Sequence, residues 1–324
     1  MNARDEASRD EICVIIDTDP GLDDALALFL AFRSPELRVL GVVTVAGNLG
    51  IDTVTRNARG IMRLLGREDV PVVRGAAMPL HREPFHAPGI HGEDGLGGIS
   101  FPEPVATEHP SAAQDWLAET IESHPPGTIR MLTLGPLTNI ARLIEERPGT
   151  ARRLAGITAM GGAVRDRGNV TPHAEFNIAA DPEAARVVLH SGIPVVLVPL
   201  DVTRQVGADE PWAAGLAARG GPLGPVTQKL VSAYLDNIAR FRASLGVPPH
   251  EQRPTHFPLH DPCVIIHAVR PELFTAERLR LGVITDKSER DGATPLDPVG
   301  AYVDVLTRAD TKGALDHVAE RLGG

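Results

Sequence analysis

The sequence predicts a single-domain α/β fold in which a mostly parallel, open sheet is covered by helices on both faces. Short runs of β-branched and other apolar residues alternate with segments of helical periodicity over most of the chain. The apolar runs lack polar–apolar alternation, which is typical of parallel strands buried on both faces. Polar residues follow several of these runs, so we expect the active site at the C-terminal ends of the strands.

The elements follow one another regularly in the first two thirds of the chain. Strands are predicted, in chain order, at residues 12–16, 39–45, 70–73, 129–134, 156–160 and 194–200. Helices with apolar residues on one face are predicted at residues 25–32, 53–65, 137–146 and 182–189. Short strands joined by helices of this kind indicate a parallel sheet.

Three segments interrupt the alternation. Residues 76–104 are rich in Gly, Pro and His and are predicted to form a long surface loop, a kind of segment that is usually functional or disordered. Residues 163–177 form a polar loop after a strand. Residues 216–257 contain one helical stretch, at 226–245, that need not belong to the sheet.

Composition and charge exclude several classes of protein. The net charge is −10 and no basic stripe is present, so nucleic acid is not an expected partner. No apolar run has membrane-spanning length, and residues 1–11 show no secretory signal, so a cytoplasmic protein without a membrane partner is expected. Cys13 and Cys263 lie in apolar runs and are predicted to be buried thiols. We expect a flexible tail at residues 1–11 and one domain at 12–324.

Four aspartates lie close together directly after the first predicted strand: Asp17, Asp19, Asp23 and Asp24. Like charges this close repel one another unless something positive lies among them. Carboxylate oxygens suit a hard divalent cation such as Ca²⁺ or Mg²⁺. A helix cap is the alternative role for Asp23 or Asp24, but one cap explains only one of the four aspartates.

A second class of enzyme also begins with an apolar strand followed by Asp-x-Asp. In phosphatases of the haloacid dehalogenase type, the first of these aspartates is a nucleophile. That class also needs a Thr or Ser after a later strand, a Lys, and a second acidic pair. Lysines are few in this chain and none follows a predicted strand of the sheet, so this class is kept as the alternative.

The segment Asp-x-Asp-Pro-Gly-x-Asp-Asp-Ala, which begins at Asp17, resembles the signature of the inosine-uridine preferring nucleoside hydrolase family. The resemblance extends from about residue 12 to about residue 305. Further motifs follow in the family's order, namely Val45-Ala46-Gly47-Asn48, His91-Gly92 with Gly95-Leu96-Gly97-Gly98, Gly135-Pro136-Leu137-Thr138-Asn139, Met160-Gly161-Gly162, Ala174-Glu175-Phe176-Asn177 and His260-Asp261-Pro262.

The resemblance implies a function in nucleoside catabolism or purine and pyrimidine salvage. Such an enzyme hydrolyses the N-glycosidic bond of ribonucleosides to ribose and free nucleobase, with a water that Ca²⁺ activates and an oxocarbenium-like transition state. It also implies a homodimer or homotetramer. A nucleoside-binding protein on a hydrolase scaffold that has lost catalysis is a further alternative, although no catalytic residue is missing. Inosine, uridine, cytidine and modified nucleosides all stay open as substrates.

The resemblance also assigns the residues of the metal site and of catalysis. It gives the calcium ion the carboxylates of Asp19, Asp24 and Asp261 and the backbone carbonyl of Leu134. Asp19 would also take a proton from the attacking water, and His260 would donate one to the departing base. The motif that contains His260 and Asp261 is also typical of a helix start, and both roles can hold together.

The remaining assignments concern the substrate. The 2′- and 3′-hydroxyls of ribose would contact Asp23, Asn177 and Asp261, and the 5′-hydroxyl would contact Asn169 and Glu175. Three further residues are assigned to the substrate pocket, with Asn48 and Met160 beside the sugar and His91 beside the base. Base contacts are expected from the loop at 76–104 and the helix at 226–245 without a choice among their residues. Neither tryptophan falls in a motif.

Overall fold

The computed structural model describes residues 11–105 and 108–324, so the predicted tail lies outside the described residues except for Glu11. The strands of the described chain are β1 (Ile12–Thr18), β2 (Leu37–Thr44), β3 (Val72–Arg74), β4 (Ile129–Thr133), β5 (Gly156–Met160), β6 (Val195–Val198), β7 (Gly207–Ala208), β8 (Phe257–Pro258), β9 (Phe274–Leu281) and β10 (Ala301–Ala309). Its helices are α1 (Leu22–Phe32), α2 (Ile51–Leu64), α3 (Pro88–His91), α4 (Ala113–Glu122), α5 (Thr138–Glu146), α6 (Pro148–Ala151), α7 (Phe176–Ala180), α8 (Pro182–Leu189), α9 (Leu200–Thr203), α10 (Glu210–Ala217), α11 (Gly224–Ser244), α12 (Pro249–Gln252), α13 (Pro262–Val269) and α14 (Thr311–Gly323).

The main sheet has eight strands in the order β3-β2-β1-β4-β5-β6-β10-β9. All neighbouring pairs are parallel except β10 and β9, which are antiparallel. The chain moves outward from β1 to β3 and then returns to place β4 on the other side of β1. The strand order therefore reverses between β1 and β4. We call this place the switch point, and open α/β sheets bind ligands at such a point.

Helices cover both faces of the sheet, as predicted. One core contains the buried residues of α1, α2, α11, α13 and α14, and a second core contains those of α4, α5 and α8. Helix α1 is buried over most of its length, since ten of its residues, Leu22 to Ala31, are shielded from solvent. This burial takes the acidic first turn of α1, with Asp23 and Asp24, into the interior beside the switch point.

The structure confirms the mostly parallel sheet, all six predicted strands and the helices predicted between them. The prediction was wrong at the end of the sixth strand, because β6 ends at Val198 and Leu200 begins helix α9. Pro199 cannot donate a hydrogen bond to the sheet, and the Leu200 N–H donates to Gly162 O at 2.9 Å instead. The edge pair of β9 and β10 was not predicted, since charged residues interrupt both strands.

Two smaller predictions concern the thiols and membranes. Cys13 and Cys263 are both free thiols, as predicted. Cys263 is buried as expected, whereas Cys13 is only half-buried, because it is one of the first two residues of β1, which are partly exposed. Among the described residues, none of the helices combines the length and the apolarity needed to cross a membrane.

Candidate active site

The turn between β1 and α1 is organised around Asp24. Its carboxylate accepts hydrogen bonds from Thr18 Oγ1 at 2.5 Å, Gly21 N at 2.9 Å, Asn48 Nδ2 at 3.1 Å and Asp19 N at 3.3 Å. Gly21 is the N-cap of α1 and has no side chain, so the helix start is capped from the other direction, by the Asp24 carboxylate that accepts from Gly21 N; the capping role therefore applies to Asp24. A carboxylate has about four acceptor positions, and Asp24 uses them largely to shape the turn.

Asp19 lies in a slot between two glycines. A Cβ on Gly47 would lie 2.2 Å from Asp19 Oδ2, and a Cβ on Gly135 would lie 2.4 Å from Oδ1. The backbone N–H of Asn48 donates to Oδ2 at 2.7 Å, and the Asn48 side chain donates to the Asp19 carbonyl at 3.1 Å. Gly47 and Gly135 follow β2 and β4, so the strands on both sides of β1 fix this carboxylate.

Three buried carboxylates converge at the same place. Asp23, Asp24 and Asp261 each offer an oxygen, and these oxygens lie within 4.8 Å of one another. The predicted metal ligands included Asp19 instead of Asp23, so the tightest group differs from the prediction by one residue. Asp261 reaches this group from the start of α13, where its side chain makes no capping hydrogen bond. The helix start predicted there is present, and the carboxylate is left for the site.

These carboxylates are crowded and desolvated. Burial, followed by repulsion from Asp24, raises the pKa of Asp23 to about 8. The same two causes raise the pKa of Asp19 well above its usual range, and burial with repulsion from Asp23 does the same for Asp261. No Lys or Arg is among the groups that shift these three pKa values. An all-oxygen, uncompensated set of this kind fits a hard divalent cation.

The turn after β4 and the short helix α7 form the next part of the site. Asn177 Nδ2 donates to the Leu134 carbonyl at 2.6 Å and to the Met160 carbonyl at 3.2 Å, and lies 3.3 Å from Met160 Sδ. The buried Glu175 carboxylate caps α7 by accepting from Asn177 N and Ile178 N. It also accepts from Gly162 N at 3.0 Å. Burial raises the pKa of Glu175 to about 7.

His260 lies half-buried beside the carboxylates. Its Nδ1 lies 2.7 Å from Oγ1 of Thr203, a residue of α9. Burial, followed by the nearby charges of Arg204 and His91, lowers the pKa of His260 to about 3. The ring is therefore neutral at pH 7 in the substrate-free protein. A neutral imidazole still carries one N–H donor.

His91 and Asn169 are not members of the group of Asp23, Asp24 and Asp261, although His91 lies near enough to Asp24 for that charge to act on its ring. The His91 Nδ1 accepts a hydrogen bond from Leu22 N at 3.1 Å, and burial lowers the pKa of this ring to about 4. A Cβ on Gly21 would lie 2.4 Å from the same nitrogen, so the glycine makes room for the ring. Asn169 is exposed, and its Oδ1 accepts from Phe176 N at 2.9 Å. The structure thus gives both residues a role in holding loops.

Helix α11 carries the residues expected beside the base. Tyr234 stacks on Phe257 with ring centroids 4.2 Å apart, and its pKa is raised by burial and then by the nearby charge of Asp23. Asn237 Nδ2 donates to the Ile90 carbonyl at 2.9 Å, which ties α11 to the long loop. Tyr234 therefore lies near the carboxylates, whereas Asn237 links helix α11 to the loop at residues 76–104.

Sequence reasoning missed several residues that shape the site. The glycine motifs were recognised, but the slot that Gly47 and Gly135 form around Asp19 was not. Thr203 and Arg204 were missed because they lie just beyond a segment predicted as strand, outside every motif. Arg204 Nη1 donates to Asp166 Oδ2 at 2.8 Å and so fixes the polar loop after β5.

Comparisons with known proteins agree along nearly the whole chain. The family described as inosine-uridine preferring nucleoside hydrolase matches residues 14–316. Pyrimidine-specific ribonucleoside hydrolase RihA of Citrobacter koseri is 38% identical, over 95% of this chain and 97% of that protein. Among solved structures, a plant nucleoside hydrolase superposes with a TM-score of 0.88 at 32% identity, covering 96% of this chain and 99% of the other. The purine-preferring ribonucleoside hydrolase from Gardnerella vaginalis gives 0.86 at 27% identity, covering 96% and 98%.

Proposed function

The chain belongs to the inosine-uridine preferring nucleoside hydrolase family and is a ribonucleoside hydrolase, and we propose that its buried carboxylates bind a calcium ion and the ribose of the substrate. The observation that carries this proposal is the convergence of Asp23, Asp24 and Asp261 beside Asp19 at the switch point between β1 and β4. Within the described residues, none of these four buried carboxylates forms an ion pair with a Lys or Arg, which favours a doubly charged ion over an ordinary salt bridge.

The residues that would hold the calcium ion are Asp19, Asp24, Asp261 and, through its backbone carbonyl, Leu134, with Asp23 directed to the sugar. When bound, the ion offsets the carboxylate charges and makes a nearby water a better nucleophile. Asp19 accepts the proton that this water loses as it attacks the anomeric carbon. Its Oδ2 is already held by Asn48 N at 2.7 Å, so the carboxylate needs no rearrangement to take that proton.

The ribose lies among groups that accept hydrogen bonds from its hydroxyls. Asp23, Asn177 and Asp261 bind the 2′- and 3′-hydroxyls, and Glu175 binds the 5′-hydroxyl together with Asn169. The positive charge of the oxocarbenium-like transition state develops beside these carboxylates, which stabilise it without having to reorient. Asn48 and Met160 line the sugar side, where both also hold other residues of the site in place.

The departing base receives its proton or hydrogen bond from His260. Negative charge builds on the base as the C–N bond lengthens, and an N–H donor at that position stabilises it. The Nδ1 atom of His260 already faces Thr203, which supports the use of Nε2 for this purpose. His91 lies on the loop that contacts the start of α1, and we assign it to a contact with the base.

We propose pyrimidine ribonucleosides, uridine and cytidine, as the preferred substrates. The relative at 38% identity is named as pyrimidine-specific. Trp116 is buried against the sheet, where a Cβ on Gly41 would lie 2.3 Å from its ring, and Trp212 packs against the other core. Both tryptophans of the chain are thus occupied in packing, so a stacking partner for a purine is not available from them.

The expected single domain at residues 12–324, the cytoplasmic location and the homodimer or homotetramer stay predictions. Light scattering of the purified protein measures the last of these directly. A mass of twice or four times 34.5 kDa is the expected result.

The proposed function is tested by measuring free ribose released from uridine, cytidine and inosine with calcium present. Phosphate release from nucleoside monophosphates is measured in parallel. We expect ribose from uridine and cytidine first, no phosphate, and no ribose from the variant Asp19→Asn. Phosphate release would favour the dehalogenase-type alternative. Nucleoside binding without ribose release would favour the binding protein.

A further inference from the structure

The ring of His260 is held from one side by a buried hydroxyl. Thr203 Oγ1 lies 2.7 Å from His260 Nδ1, and the Thr203 side chain is fully shielded from solvent. Within residues 11–105 and 108–324, Nδ1 is the hydrogen-bond partner of this hydroxyl, and Nε2 of the same ring has none. The two ring nitrogens therefore have different surroundings, although sequence reasoning treated His260 as a single donor.

The surroundings of the hydroxyl determine which nitrogen carries the proton. A buried hydroxyl places its hydrogen on an acceptor, because an unpaired buried donor is costly. Among the described residues, Nδ1 is the acceptor within reach of Thr203, so we assign the hydroxyl as the donor of this bond. In a neutral imidazole the nitrogen that accepts cannot also carry the proton, which then lies on Nε2. Nε2–H is thus the donor left for a ligand.

Thr203 itself is fixed to the ribose end of the site. Its helix, α9, begins where Leu200 N donates to the Gly162 carbonyl at 2.9 Å. The N–H of the same Gly162 donates to Glu175 at 3.0 Å. Gly162, in the turn after β5, therefore bonds both to the Glu175 carboxylate, which is proposed for the 5′-hydroxyl, and to helix α9, which carries Thr203.

A second anchor strengthens this connection. Asp201, also in α9, accepts hydrogen bonds from Val164 N at 2.9 Å and Arg165 N at 2.7 Å. Helix α9 is only four residues long, and these bonds to the loop after β5 replace the stability that its length does not provide. The position of the Thr203 hydroxyl is thereby set relative to the sugar-binding residues.

We propose that Thr203 is a positioning residue, which orients the His260 ring and keeps its proton on Nε2, directed to the departing nucleobase. This inference rests on the proposed role of His260. It assigns no contact with the substrate to Thr203, which acts through the ring alone.

Three variants test the inference. Thr203→Val removes the hydroxyl and keeps the shape, and Thr203→Ser keeps the hydroxyl. Thr227→Val is the matched control, since Thr227 is equally buried and its hydroxyl has no partner within the described residues. We expect Thr203→Val to lower kcat for uridine roughly three- to tenfold, the effect of losing one hydrogen bond, with KM unchanged. Thr203→Ser and Thr227→Val should behave like the wild type.

The choice of substrate separates positioning from general damage. Nitrophenolate leaves without a proton, so kcat for a nitrophenyl riboside should be unchanged in Thr203→Val. Both substrates would lose rate if the substitution only disturbed the fold. The variant His260→Ala is measured alongside and should lose roughly 10²–10⁴-fold with uridine while it spares the nitrophenyl riboside.

A spectroscopic measurement reads the ring directly. The ¹⁵N shifts of labelled histidine distinguish Nε2–H from Nδ1–H, and the signals of His260 are assigned by their loss in His260→Ala. We expect Nε2–H in the calcium-loaded wild-type protein and in Thr203→Ser, and a mixture of tautomers in Thr203→Val. If Thr203→Val keeps the wild-type signals and rates, the inference about Thr203 is overturned, whereas the proposed role of His260 is not affected. If the ratio of kcat for uridine to kcat for the nitrophenyl riboside is unchanged in His260→Ala, the proposed donor is overturned, and with it the inference.

Discussion

The two ends of the proposed active site, one for the sugar and one for the base, are built differently. The sugar end consists of turns that directly follow strands β1, β2, β4 and β5, and its carboxylates are buried. The base end, which we assign to the loop at residues 76–104 and helix α11, lies outside the sheet. Here the side chains of Phe85 and Phe241 are 38% and 40% exposed. From this difference we expect the sheet to fix the chemistry on ribose and the added segments to determine the preferred base.

The sugar end is held mainly by hydrogen bonds that the strands impose. Leu134 N donates to Asp17 O at 2.7 Å, and Val45 N donates to Thr18 O at 3.1 Å, so the ends of three adjacent strands are fixed together. Asn139 adds a bond from its Nδ2 to Asp17 Oδ2 at 2.7 Å. Side chains on such a frame have little freedom, which suits a site that must stabilise charge without reorganising.

The base end is held by a few side-chain contacts between residues that are far apart in sequence. Arg82 donates to Glu183 at 2.6 and 2.8 Å and also pairs with Asp291. His91 and Asn237 fix the other end of the loop through Leu22 and the Ile90 carbonyl. We expect substitutions in this region to change substrate binding and those at the sugar end to change the chemical step.

The largest effect is expected from the calcium ligands, and two variants separate the metal-binding role of a carboxylate from its role in the fold. Asp261→Asn should lower kcat by roughly 10³-fold or more, since several kcal/mol of charge stabilisation are lost, without destabilising the calcium-free protein. Asp24→Asn should lower activity as strongly and also lower the free energy of unfolding by about 1–3 kcal/mol without calcium, because its acceptors shape the turn. Thermal melts with calcium and with a chelator measure both.

The control for this pair is Asp316→Asn, whose exposed carboxylate pairs with Lys312 on the surface. It should match the wild type in both measurements. A chelator should also abolish wild-type activity and lower the Tm, because an ion bound only to the folded state stabilises it. Full activity in chelator would contradict the calcium proposal.

A smaller effect is expected from moving Asp19 without changing its charge. Gly135→Ala places a methyl group where Oδ1 lies, so the carboxylate must shift. A displacement of about 1 Å in a catalytic group costs roughly 100-fold in rate. Gly50→Ala is the matched control, because a Cβ there meets nothing within 4 Å and the backbone is extended. Equal kcat values in the two variants would show that the position of Asp19 is not critical.

The smallest effect is expected at the base end. Arg82→Ala releases one anchor of the loop, and binding must then order that segment. KM should rise roughly two- to tenfold, the cost of ordering one or two side chains, with kcat for a saturating substrate unchanged. Arg67→Ala, which removes an exposed pair with Asp69, is the control. A fall in kcat with constant KM would mean that the loop takes part in the chemical step.

The comparison also explains what sequence reasoning could predict. The six strands were predicted because each is a short run dominated by apolar residues, and the aspartate cluster was recognised because its residues are close together in sequence. The approach of Asp23 to Asp24 and Asp261 could not be predicted, since it depends on how the first turn of α1 faces Asp261. Thr203 gave no signal either, because its importance arises from a contact with a residue 57 positions away.

The most direct test of this division of the active site varies the sugar and the base of the substrate together. kcat/KM is determined for uridine, cytidine and inosine and for the 2′-deoxy form of each. Buried groups that bind a hydroxyl reject an analogue without it by roughly 10⁴-fold or more. If the sugar end acts independently of the base end, this factor is the same for all three bases, although their absolute rates differ. A factor near one, or a factor that changes with the base, would contradict the division of the site.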